Sequence, residues 1–254
     1  MSIQSKQSLL LIVAVIAIFA TPFAPPIPQD PAYHEFADIH GFLGVPNALN
    51  VVSNGLFLWV GIAGLLRLSR RNELRTLPDL YTAYFTFFSS LVLIAAGSSW
   101  YHLNPDNASL AWDRGAMTLA FMSLATIFLA ERVSLRVGRL LFPVLMIAGP
   151  ASIIYWYLTE LSGQGDLRAY ALVQFLPLLI APLILLLFPS RYTRSNDLWW
   201  MLICYALAKL LEILDHDIYA FTGWIGGHSL KHLAAGLACL VFLHHLQRRR
   251  DVEL

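Results

Sequence analysis

Residues 80 to 114, LYTAYFTFFSSLVLIAAGSSWYHLNPDNASLAWDR, decide the fold class. Positions 80 to 102 carry no Lys, Arg, Asp or Glu, and about 20 apolar residues suffice for a helix to cross a bilayer. The turn-forming Asn104, Pro105 and Asp106 interrupt the run, and a second apolar stretch begins near position 109 with Asn107 and Ser109 as candidate caps. A helix, a tight turn and a returning helix is the reading.

Working outward, the same pattern recurs at about residues 8–24, 47–67, 109–130, 138–158, 168–188, 197–215 and 228–246. Composition agrees: 57% of the 254 residues are hydrophobic, the mean hydropathy is +0.62, and 13% are charged, against roughly 25% in soluble domains. Only helices or closed barrels satisfy the backbone in lipid, and these runs are too long for barrel strands. The sequence therefore predicts an all-α integral membrane protein, a seven-transmembrane-helix bundle with an extra N-terminal hydrophobic helix. Residues 1–24 are a hydrophobic anchor or a signal segment, and the lack of a clean small-x-small cleavage site after the run favours an uncleaved anchor. Residues 25–46 are an extracytoplasmic loop, 47–246 the seven-helix domain, and 247–254 a basic tail.

Net charge is only +1, yet the arginines cluster in RLSRRNELR (67–75), ERVSLRVGR (131–139), PSRYTR (189–194) and HHLQRRR (244–250). With seven helices after the anchor, all four segments fall on one side, which the positive-inside rule makes cytoplasmic. This clustering encodes topology and does not describe a nucleic-acid surface. Cys204 and Cys239 lie inside apolar runs and read as small buried hydrophobes.

The opposite face collects the chemistry. His228 and His232, four apart at the start of the last run, project from one side of a helix. His102 ends the 80–102 run, Ser98 lies one turn before it, and Asp113 follows eleven residues later in the first turn or so of the next helix. Three neutral imidazoles are a sufficient set of ligands for a catalytic zinc that keeps one position open, and such an ion brings the pKa of water toward about 7. Taken singly, each element has a plainer meaning: serine packs membrane helices, an acid near a helix start answers its dipole, and a His pair four apart is common. Together, inside a membrane, ionisable residues point to function. A bis-histidine haem takes ligands from facing helices and has no need of a pair on one helix.

Ser98-x3-His102, Asp113 and His228-x3-His232 resemble the alkaline ceramidases and the wider seven-helix hydrolase superfamily that includes the adiponectin receptors. Asn50, Ser53 and Asn54 in GVPNALNVVSNGLFLWVG are similar to that family's first helix, so the resemblance covers about residues 33–246. It implies a bacterial member: a zinc-dependent amide hydrolase that cleaves ceramide or a related N-acyl lipid into fatty acid and amine. Zinc would be held by His102, His228 and His232, with Ser98 and Asp113 as catalytic groups beside it. The membrane lipid is then the partner, and the active site faces the periplasm across a bacterial inner membrane. Animal relatives bind calcium through an acidic amino-terminal segment; here Glu35, Asp38 and Asn47 are the candidate calcium ligands, an oxygen set short of negative charge. Lys209 and Glu212, three apart, are expected to pair. Trp100, Tyr101 and Trp224 are expected in an interfacial aromatic belt. The alternative is a seven-helix receptor or transporter with a structural metal site.

Overall fold

The computed structural model describes residues 1–70 and 73–252. Its long helices are α1 (Ile3–Ala20), α3 (Gly55–Leu68), α4 (Tyr81–Leu103), α5 (Asn107–Phe128), α6 (Leu135–Leu161), α7 (Arg168–Leu187), α8 (Ser195–Ile213) and α10 (Gly227–Arg248). Two short helices complete the set, α2 (Ala48–Val52) ahead of α3 and α9 (Asp215–Thr222) ahead of α10. No strand forms among the described residues. Among the described residues, seven segments are long and apolar enough to cross a membrane: those of α1, α2–α3, α4, α5 with the π-turn after it, α6, α7 and α10. The chain is an all-α, multi-pass membrane protein.

The eighth expected run, α8, falls short of that measure because Asp197, Lys209 and Glu212 interrupt it. It is carried by packing along α10, and its charges are answered: Asp197 pairs with Arg194, and Glu212 with Lys209 and Lys231. Neighbouring helices close a ring in the order α3, α4, α5, α6, α7, α8 and α10. Helix α1 lies outside it against α7, burying little beyond Leu10.

Close approach of the helices rests on small residues, the usual means in membranes. A Cβ added to Gly61 of α3 would stand 2.9 Å from the Phe88 carbonyl oxygen of α4. One added to Gly97 of α4 would stand 3.0 Å from the Trp112 carbonyl oxygen and 3.2 Å from Asp113 Cα of α5. The second contact brings Asp113 to the level of Ser98. At the α4–α5 turn, the cap of α5 is Asp106 and not Asn107 or Ser109: its Oδ1 accepts from Ser109 N at 2.7 Å while Ser109 Oγ accepts from Asp106 N at 3.2 Å. Asp113 is consequently the seventh residue of α5, in its second turn, one to three residues further in than expected.

The connections sort by end, as the arginine pattern predicts. Residues 25–46 meet the other links of one end through Leu167 N–Ile27 O (2.8 Å), His34 Nε2–Asn107 Oδ1 (3.1 Å) and Ala37 N–Asp215 Oδ2 (3.0 Å). The arginine-rich segments meet at the other through Arg75 N–Leu246 O (2.8 Å), Thr193 N–Arg250 O (2.9 Å) and Arg249 Nε–Arg75 O (2.8 Å).

Candidate metal centre

Two helices deliver the three histidines to one point. His102 is in the last turn of α4, and His228 and His232 occupy the first two turns of α10. Gly97 sets α4 closely against α5, and Gly227 starts α10 beside Asp215. All three imidazoles are buried. Their ring centroids are 4.9 to 5.0 Å apart, and one nitrogen from each lies within 4.8 Å of the others. Among the described residues this is the metal-capable group of three or more His, Cys, Asp or Glu side chains.

The arrangement fits an ion better than it fits packing. His102 Nε2 and His232 Nε2 face each other at 3.4 Å. Two nitrogens on a tetrahedral ion with bonds of about 2.0–2.1 Å stand about 3.3–3.4 Å apart. His228 Nε2 is buried with no hydrogen-bond partner among the described residues, and a buried, unpartnered polar atom is costly unless something binds it.

The segment preceding α3 holds every histidine from outside. Phe36 sits edge-on to the rings of His102 and His228, at 4.6 and 4.8 Å. Asn47, in the left-handed conformation that Asn tolerates, donates from Nδ2 to the His102 carbonyl oxygen at 2.8 Å. Ser53 Oγ is 2.8 Å from His232 Nδ1. Asp215 spans the junction, its Oδ2 accepting from Ala37 N and its Oδ1 from His228 N at 2.8 Å.

Ser98 is buried one turn before His102, on the same face. Asp113 is half-buried and comes close through the Gly97 contact. Ser98 and Asp113 thus lie at one level of two neighbouring helices, α4 and α5. The proposed calcium ligands all lie in the segment ahead of α2. Glu35 is exposed, Asn47 commits its amide nitrogen to His102, and Asp38 is buried with Oδ1 accepting from His40 N (3.0 Å). Asp38 Oδ2, without a partner among the described residues, is the one feature of that set that favours a cation.

Several contributors escape sequence reasoning. Lys231, between the two α10 histidines, pairs with Glu212 at 2.9 Å, and Glu212 also pairs with Lys209 as expected and accepts from Tyr33 Oη at 3.1 Å. Burial raises the Tyr33 hydroxyl above its ordinary pKa, against the charge of Lys231, so it stays a hydrogen-bond donor. Arg114 is buried under Tyr33, Trp156 and Tyr170, 5.0, 4.8 and 5.1 Å from their ring centres, and donates to Gln29 Oε1 at 2.7 Å. Of the expected aromatic belt, Trp100 and Trp224 are exposed, but Tyr101 is buried, with its hydroxyl bonded to the Tyr33 carbonyl. A charge in the fragment GHSLKHLAAG was the available signal for Lys231; the partners of Tyr101 and Arg114 come from segments distant in sequence and left none.

No family model matches the chain, and no curated protein matches it in sequence.

Proposed function

We propose that this protein is a zinc-dependent, ceramidase-like hydrolase that cleaves the amide of ceramide or another N-acyl lipid. The observation that carries the reading is the convergence of three buried imidazoles from α4 and α10, with Ser98 and Asp113 on the adjoining turns. His102, His228 and His232 would hold the ion. When bound, zinc supplies Lewis acidity toward a carbonyl oxygen and acidifies water. The chain does the rest. Asp113 accepts a proton from water and returns one to the leaving amine. The Ser98 hydroxyl donates to the oxygen on which charge develops. Phe36 and the 25–46 segment cover the histidines and limit water access. The site sits where helix ends meet the interface, so an amphiphile entering from the side would place its amide at the level of the histidines and its chains along the helices.

Purified, zinc-loaded protein should release fatty acid from long-chain ceramide in liposomes, and a chelator or His102→Ala should stop it. A preparation that holds zinc, hydrolyses no ceramide or other N-acyl lipid, and instead binds a ligand or changes ion flux would make the receptor or transporter reading the better one. The reading also places the histidine end toward the periplasm across a bacterial inner membrane, following the arginine-rich opposite end. A cysteine introduced at 216–227 should label from outside and one introduced near Arg248 should not; the reverse pattern overturns the orientation.

A further inference from the structure

The three imidazoles are not held alike, and the difference singles out one residue outside the histidine, Ser98 and Asp113 set. His102 Nδ1 is buried without a partner among the described residues, as is His228 Nε2. His232 Nδ1, by contrast, meets Ser53 Oγ at 2.8 Å. The direction of that hydrogen bond follows from the other contacts of Ser53. Its hydroxyl reaches the Asn50 carbonyl oxygen at 3.0 Å, and a carbonyl can only accept. The serine proton is thereby committed, so its oxygen lone pair accepts a hydrogen bond from His232 Nδ1–H. His232 is left with a bare Nε2, the atom that stands 3.4 Å from His102 Nε2.

The chain builds this setting at a break. Helices α2 and α3 are interrupted at Ser53–Asn54, where a serine bonding back three residues along the chain competes with continued helix. Asn50 is the hub. Its carbonyl also takes Asn54 Nδ2 at 2.9 Å, filling both lone pairs, its Oδ1 accepts from Ser229 Oγ at 2.7 Å, and its Nδ2 donates to the Asp38 carbonyl at 3.2 Å. Every polar group of the Asn50 side chain is used, and each bond runs to a different segment: the 25–46 loop or α10.

We propose that Ser53 is a positioning residue for the metal ion, fixing His232 as the tautomer with Nδ1 protonated and Nε2 free to ligate, and that Asn50 ties this setting to the 25–46 loop through Asp38. The proposal rests on the metal-centre reading above. It makes the Asn50-x-x-Ser53-Asn54 segment part of the metal site, although none of its side chains is a ligand.

Zinc affinity of the full-length, detergent-purified protein, measured by competition with a chromophoric chelator, tests this directly, with the visible spectrum of the cobalt-substituted protein as a second readout. Ser53→Ala should bind zinc about 10- to 100-fold more weakly, the usual effect of losing the partner that orients a ligating histidine, and should alter the cobalt spectrum. Ser53→Thr, which keeps the hydroxyl, should restore both. Ser90→Ala should change neither, since Ser90 is equally buried but bonds only to Phe87 O in its own helix. In excess chelator, Ser53→Ala should melt with the wild type, which separates positioning from folding. If Ser53→Ala does not fold, Ser53→Gly serves in its place. Wild-type affinity in Ser53→Ala or Ser53→Gly, or a Ser53→Thr protein as weak as Ser53→Ala, overturns the proposal and leaves the metal centre standing. A wild type that binds no zinc removes the metal centre and this proposal together.

Discussion

At the arginine-rich end of the bundle, Arg249 is buried among groups that use up its donors. It donates to the Arg75 carbonyl oxygen from Nε and Nη2 and to Glu131 from Nη1 and Nη2, with Tyr84 also bonded to Glu131, and its guanidinium lies 3.8 Å from the Tyr192 ring centre. Burial works against the Arg249 charge, and the Glu131 carboxylate outweighs it, holding the guanidinium above its ordinary pKa. At the histidine end, burial is just as complete, but His102 Nδ1, His228 Nε2 and Asp38 Oδ2 have no partner among the described residues. A buried polar group left unmatched costs about 1–3 kcal/mol. The satisfied Arg249–Glu131 pair is what a structural clamp requires, although His245 Nδ1 beside it also lacks a hydrogen-bond partner among the described residues; at the histidine end, the bare His228 Nε2 faces its fellow imidazoles and is what a metal site retains for its ion.

Substitutions at the two ends should therefore differ in kind as well as in size. The largest effect expected is on rate. Asp113→Asn should lower turnover by about 10²- to 10⁴-fold, the range for losing a proton-transfer group, while zinc content stays at the wild-type level, because no histidine changes. Normal turnover in a zinc-replete Asp113→Asn protein removes Asp113 from the chemistry.

Next in size is the clamp. Glu131→Ala would strand the buried guanidinium of Arg249, a change that costs about 3–5 kcal/mol when one partner of a buried pair is removed. Thermal melting should fall accordingly, with zinc affinity of the folded protein unchanged. A mutant that loses zinc while keeping its stability would erase the distinction between the two ends.

The smallest effect belongs to the cap of α5. Asp106→Ala should cost about 1 kcal/mol. The Ser109 backbone N–H holds the Asp106 carboxyl below its ordinary pKa, so the cap's contribution is complete above about pH 4, the unfolded value, and is lost as pH falls through the lower folded value. Melting curves of wild type and Asp106→Ala should thus converge in acid; curves that stay parallel contradict the assignment of the cap.

How much of this was legible beforehand depends on range. Helix positions were readable because burial in lipid demands long apolar runs, and the ends of α4 and α10 fell within a residue or two of expectation. The histidine cluster was readable because two of its members share a helix face at a spacing of four and the third sits at a helix end. The charged α8 was counted as one more apolar span, and its charges are met instead by Lys231 and Arg194. Ser53 was visible only as part of a motif; its meaning depends on His232, 179 residues away. Asp38 looked like a solvated acid or a calcium ligand. It is buried, and its backbone carbonyl takes Asn50 Nδ2 from the far side of the loop, a contact that no local pattern announces. The depth of Asp113 turned on which of three neighbouring polar residues caps α5, a choice settled by geometry within a single turn.

The central claim is that His102, His228 and His232 hold one ion. Elemental analysis of the purified protein beside His228→Ala and His232→Ala tests it most directly. The account predicts about one zinc per chain in the wild type, as three protein ligands allow, and little in either variant; equal zinc in all three proteins would contradict it.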